Sequence, residues 1–126
     1  MRYPGLDSFP WKNLARAQMT DPAGHFMPGT LVYFVMKGAP AKARKAAQRV
    51  VDHVAKDAYT LTLAVSLGHV RTLVEHPASM THAALDAKSQ VAAGIDPGGI
   101  RLSAGLEDPR DLVADLLQQF EHAGAA

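Results

Sequence analysis

Apolar and polar positions change their period several times along the chain, and each change marks an element. From Leu31 to Met36 six apolar residues run uninterrupted between Gly29 and Gly38, as in a strand covered on both faces. Pro40 then suits the first position of a helix reaching about Lys56. Ala43, Ala47, Val50 and Val54 form its apolar stripe, with Lys42, Lys45, Arg49, Asp52 and Lys56 on a solvated face. Between Thr60 and Leu67 the period falls to two. Leu61, Leu63, Val65 and Leu67 face one way, Thr60, Thr62, Ala64 and Ser66 the other, and Gly68 closes the strand. Residues 69–85 hold no sustained period and are broken by Pro77. Asp86 fits the N-cap of a helix over 86–93 that stops before Gly94. The run Ile100-Arg101-Leu102-Ser103-Ala104-Gly105-Leu106 alternates again, with Ile100, Leu102 and Leu106 on one face and Arg101 and Ser103 on the other. Asp108 and Pro109 open a last helix whose core stripe is Leu112, Val113, Leu116, Leu117 and Phe120.

Ahead of these elements, residues 1–30 are punctuated by Pro4, Gly5, Pro10, Pro22, Gly24, Pro28 and Gly29. That density of turn residues predicts an extended arm with one short helix near 11–19, wrapped on a neighbour. The order arm, β, α, β, irregular stretch, α, β, α predicts an α+β fold for 31–126, with about three strands and helices on one face. The tail Gly124-Ala125-Ala126 is expected to fray.

At 126 residues and 48% hydrophobic content, the chain can build one core. Thirteen basic side chains against 12 acidic ones leave a net charge of +1, which gives no electrostatic reason to expect nucleic acid or an anionic membrane. The absence of cysteine excludes disulfides, thiolate metal sites and cysteine nucleophiles. Met1-Arg2-Tyr3-Pro4-Gly5-Leu6 lacks the apolar run of a signal peptide, and no stretch is long enough to span a membrane, so a cytoplasmic location is expected.

Six histidines include no i, i+4 pair of the zinc-helix type, so no metal site is expected, and His76 and His82 are expected to serve packing and local hydrogen bonds. No Gly-x-Ser-x-Gly elbow, Gly-x-Gly-x-x-Gly turn or Walker loop is present. Arg101, the one charge in its strand, carries more information. A guanidinium between apolar walls takes a fixed anionic partner, because burying it unpaired is costly. That partner is either an Asp or Glu of this chain or a ligand carboxylate held through two parallel hydrogen bonds.

The segment from Ser66-Leu67-Gly68 to Met80-Thr81-His82 resembles the C-terminal domain of the Cys/Met-metabolism family of pyridoxal-phosphate enzymes. That family includes methionine γ-lyase, cystathionine lyases and synthases, and homoserine sulfhydrylases. Tyr3-Pro4-Gly5-Leu6, the Gly29-to-Gly38 strand and the block from Ile100 to Glu107 match the same pattern in the same order. The resemblance implies the small domain of a fold-type-I (aspartate-aminotransferase-like) enzyme, a C–S lyase or trans-sulfuration transferase acting on a sulfur-containing amino acid. It further implies that Arg101 binds the substrate α-carboxylate. Ser66 would lie beside that carboxylate and the cofactor lysine, an indirect cofactor contact, and Thr81 would line the same site. Val65 would meet the far end of the substrate, where an apolar residue fits a side chain such as that of methionine. The loop from Thr20 to Pro28 departs from the pattern in being longer than in many relatives.

In this family the Schiff-base lysine and the phosphate contacts belong to a large N-terminal domain, whose motifs are not among these residues. The expectation is therefore a substrate-binding stretch with no catalytic residue of its own. Pyridoxal phosphate would be held by the complete enzyme and not by this chain alone. The large cofactor-binding domain and further copies of the chain are the expected partners, met through apolar surface at Trp11, Phe26, Phe34 and Met36. A reading of a different class is a stand-alone, non-catalytic domain that binds a small carboxylate ligand or a protein partner.

Overall fold

The computed structural model describes residues 1–124, and the fraying expected at Ala125 and Ala126 lies outside them. The elements are α1 (Lys12–Gln18), β1 (Leu31–Val35), α2 (Pro40–Asp57), β2 (Thr62–Leu63), β3 (Leu73–Glu75), α3 (Ala87–Ala92), β4 (Gly99–Ser103) and α4 (Pro109–His122). The architecture is α+β, with a mixed sheet in the order β1-β4-β3-β2. β1 and β3 run antiparallel to β4, and β2 runs parallel to β3.

Four strands are one more than the sequence pattern predicts. The additional strand, β3, lies in the stretch expected to be irregular, where Thr72 to Ala78 is an unbroken run of buried residues. Glu75 and His76 disguised it, since titratable residues ahead of a proline read as loop. His76 tolerates full burial because both ring nitrogens have partners, Nδ1 with the Ser79 hydroxyl at 2.6 Å and Nε2 with the Pro97 carbonyl at 2.7 Å. A carbonyl can only accept, so the proton sits on Nε2. Burial also holds the ring below its usual pKa.

The strand predicted over Thr60–Leu67 shrinks in the structure to Thr62–Leu63. Upstream, the Asp115 carboxylate accepts the N–H groups of Tyr59, Thr60 and Leu61 at 2.9, 2.6 and 3.2 Å. Downstream, Ser66 and Gly68 bond side chains of β4. Side chains thus take hydrogen bonds that a longer ladder would have used. Val65 and Leu67 are consequently exposed rather than aligned with a core face.

Helices α2 and α4 cover one face of the sheet. Ala47, Val50, Val51, Val54, Leu61, Val74, Ile100 and Ala123 form the core there, with Phe34 and Phe120 in an edge-to-face pair at 5.9 Å. The alternation of β1 turns Phe34 toward this core, and Met36 packs against it too, so both are half-buried rather than part of the exposed apolar surface expected of them. The opposite face of β1 is open, with Leu31 and Val35 exposed, contrary to a strand covered on both sides. In α4 the inward row is Leu112, Asp115, Leu116, Gln119 and Phe120, continued by Ala123 at the C-cap, while Val113 and Leu117, expected in the core, are 58% and 56% exposed. The helix is set by the reach of Asp115 to residues 59–61, which turns those two apolar side chains outward. The arm pairs Arg2 with Tyr33 at the free edge of β1, so its backbone extends the sheet locally.

Candidate functional site

The sheet face away from α2 and α4 carries the polar residues of the central strands. Register places Glu75 of β3 directly across from Arg101 of β4, and Leu73 across from Ser103. Arg101 Nη1 lies 3.0 Å from Glu75 Oε1, and its Nη2 donates to the Ser66 carbonyl at 2.8 Å. Of the two anionic partners that the strand pattern left open, the carboxylate of this chain is therefore present. It does not exhaust the guanidinium, which has five N–H donors. Arg101 retains 24% side-chain exposure.

Backbone geometry holds the loop 66–71 over this end of β4. The Ser103 hydroxyl accepts the Gly68 N–H at 3.0 Å, and the Leu106 N–H reaches the Val70 carbonyl at 2.8 Å. A Cβ on Gly105 would run into the backbone of Val70 and Arg71, so only glycine lets the two segments cross. Thr72 locks the crossing. Its hydroxyl accepts from Gly105 N–H, and its own N–H and hydroxyl donate to Glu107 at 2.9 and 2.8 Å. Burial raises the Glu107 pKa, but these Thr72 donors outweigh it and leave the carboxyl below its ordinary range. Leu106, predicted on the buried face of β4, lies beyond the strand's end and is 84% exposed. The turn back toward Thr72 removes it from the alternation.

Ser66 is exposed and sits in the loop, not on a strand, and its carbonyl rather than its hydroxyl meets Arg101. Val65 precedes it, also exposed. Thr81 occupies the turn after β3, its hydroxyl 2.9 Å from His82 Nδ1. Both Thr81 and His82 act on the Glu75 carboxylate. The structure thus joins Arg101 to the Ser66 backbone directly and to Thr81 through Glu75, and leaves Val65 exposed beside Ser66.

Glu75 is the member that sequence reasoning missed. It is 1% exposed, and its Oε2 has no hydrogen-bond partner among the described residues. Burial pushes its pKa above the carboxylate range, with Arg101 and then His82 and Thr81 pulling the other way. A usable signal was present, because a strand through Leu73-Val74-Glu75 puts a carboxylate beside Arg101. A second group was also hidden by sequence distance. His53, Asp57 and His122 bring ligand atoms within 4.8 Å of one another at the C-terminal ends of α2 and α4. That group lies on the helix layer, and His53 Nδ1 is 3.3 Å from Asp57.

Residues 1–121 match the family model described as Cys/Met metabolism PLP-dependent enzyme. The chain is 39% identical to the L-methionine gamma-lyase of Porphyromonas gingivalis over 114 residues, which cover 90% of this chain and 25% of that protein. It is 35% identical to an O-succinylhomoserine sulfhydrylase of Mycobacterium tuberculosis, covering 92% of this chain and 26% of that one. Among solved structures, it superposes on a cystathione gamma lyase from Micromonospora echinospora with a TM-score of 0.76 at 39% identity, covering 94% of this chain and 27% of the other. The chain thus spans about a quarter of the length of these relatives. With the match running from the arm through nearly all of α4, the chain belongs to the Cys/Met-metabolism family of pyridoxal-phosphate-dependent enzymes.

Proposed function

We propose that this stretch supplies the substrate-carboxylate clamp of a pyridoxal-phosphate enzyme acting on a sulfur-containing amino acid, of the methionine γ-lyase or trans-sulfuration kind. The observation that carries the reading is Arg101, anchored by Glu75 and the Ser66 carbonyl yet still partly open. Anchoring at two points fixes the plane of the guanidinium, so an arriving carboxylate meets pre-aligned donors rather than a mobile side chain. Ser66 would border the bound carboxylate, Thr81 would line the site from the turn after β3, and Val65 would face the apolar end of a substrate such as methionine.

Pyridoxal phosphate needs an amine to carry it and donors for its phosphate. The residues described do not fit that need. Lys37, Lys42, Lys45, Lys56 and Lys88 are exposed, Lys12 belongs to the arm helix α1, and the contacts of Arg101 and Glu75 include no lysine. In this reading the cofactor-bearing lysine comes from polypeptide outside the stretch. The contribution made here is orientation, and positioning of a reactant is worth several kcal/mol of barrier. The open face of β1, with exposed Leu31 and Val35, and the exposed apolar side chains of Val65, Leu67 and Trp11 would meet that polypeptide or a second copy. Light scattering tests the latter, a single monodisperse monomer counting against self-association.

Calorimetry with L-methionine on the 126-residue chain and its Arg101→Ala variant tests the clamp. Loss of binding in the variant is expected, and equal binding in both removes Arg101 from the site.

A further inference from the structure

Three features single out Glu75 on the sheet face away from α2 and α4. It is 1% exposed on a central strand, where an ionised carboxylate is costly unless paired. Its one oxygen with a partner, Oε1, is taken by Arg101, while Oε2 has none among the described residues. Its cation is the same guanidinium proposed to receive the substrate. A structural ion pair would be expected to satisfy both oxygens, as buried carboxylates do when their role is stability. Here the arrangement leaves one oxygen available for a proton.

We propose that Glu75 is the positioning residue and resident counter-ion of the Arg101 clamp, and that binding of an amino-acid carboxylate to Arg101 draws a proton from solvent onto Glu75. The inference rests on the clamp reading. Two carboxylates sharing one guanidinium repel each other, and the buried one relieves the repulsion by becoming neutral. The proton comes from water or buffer and goes to Oε2, and no other bond changes. The groups facing Glu75 are Arg101 from β4 and, from the turn after β3, His82 and the Thr81 hydroxyl. Burial already raises the Glu75 pKa, and Arg101 is the largest influence opposing that rise. A ligand that occupies Arg101 weakens the opposition. Substrate affinity should therefore increase as pH falls toward the range in which Glu75 titrates.

The test follows the ¹³C carboxyl signal of Glu75 and the ¹⁵N guanidinium signals of Arg101 in the 126-residue chain, across pH, with and without L-methionine. Saturating methionine is expected to raise the Glu75 midpoint by about one unit, equivalent to about tenfold coupling between ligand and proton. Glu75→Gln keeps an accepting oxygen without the charge. It should bind methionine about tenfold more tightly above neutral pH and lose the pH dependence. Glu75→Ala removes the anchor as well, and should bind more weakly than the Gln variant with freer rotation of the Arg101 guanidinium. A Glu75 midpoint that ignores methionine while the Arg101 signals still respond overturns the proposal and leaves the clamp standing. So does a Gln variant with unchanged affinity and pH profile. If Arg101→Gln leaves methionine binding intact, or wild type shows no response to methionine in either signal, the clamp reading fails and the proposal falls with it.

Discussion

Two buried carboxylates, Asp115 on the helix layer and Glu75 on the opposite face of the sheet, answer the same physical problem in opposite ways. Asp115 accepts from the N–H groups of Tyr59, Thr60 and Leu61, the Thr60 hydroxyl and the Gln119 amide. Burial raises its pKa, but those donors outweigh it and the carboxyl stays below its ordinary value. Among the described residues Glu75 has one ion-pair partner, one oxygen without a hydrogen-bond partner and a pKa above its ordinary value. Burial is similar in the two, at 5% and 1% exposure, so the number of donors makes the difference. The first is a staple between α4 and the segment entering β2. The second is a charge held beside a site that can use it.

The comparison can be broken most forcefully at the staple. Asp115→Ala leaves three backbone N–H groups without their acceptor and is expected to cost roughly 3–5 kcal/mol, read from urea unfolding. A loss below about 1 kcal/mol would mean that water replaces the carboxylate without penalty. Gly105→Ala strikes the other region, where the 66–71 loop crosses β4. Pushing its backbone from Arg101 should cost about 2 kcal/mol and weaken methionine binding as well.

Acid and base unfolding sharpen the contrast through its sign. Asp115 has a lowered folded pKa, so its contribution is present above the unfolded value of 3.8 and is lost as pH falls through the folded value. Glu75 has a raised folded pKa, so its contribution is complete below the unfolded value of 4.5 and is lost as pH rises through the folded value. Glu75→Gln should therefore match wild type most closely in acid. Toward neutral pH it should gain on wild type by up to about 1 kcal/mol, because it avoids a buried charge. A variant that loses stability relative to wild type as pH rises would contradict that assignment. The smallest effect is expected on the outer side of α4, where Val113→Ala should change stability by less than about 0.5 kcal/mol. Leu116→Ala, three residues along the same helix, should cost about 2 kcal/mol or more.

The pattern of legible and illegible elements follows the range of the interactions involved. The stripe of α2, with Pro40 at its start, and the caps at Asp86 and Asp108 are written in residues a turn apart, and the structure has them as predicted. The length of β2 and the rotation of α4 depend on Asp115 meeting residues 55 positions away, which no local period encodes. β3 was obscured because Glu75 and His76 have partners, Arg101 and Pro97, that only the fold brings near. Arg101 stood out because a lone guanidinium on an alternating strand is costly without an anion. The Ser66, Thr81 and Val65 assignments needed the whole ordered set of blocks, since none carries a distinguishing charge or spacing by itself.

The most direct measurement of the clamp compares L-methionine with methioninamide, which lacks the carboxylate, by following the ¹⁵N guanidinium signals of Arg101. The account predicts that methionine shifts and sharpens those signals while the amide leaves them in place. Equal responses to both ligands, or a response confined to residues away from Arg101, Ser66 and Glu75, would contradict it.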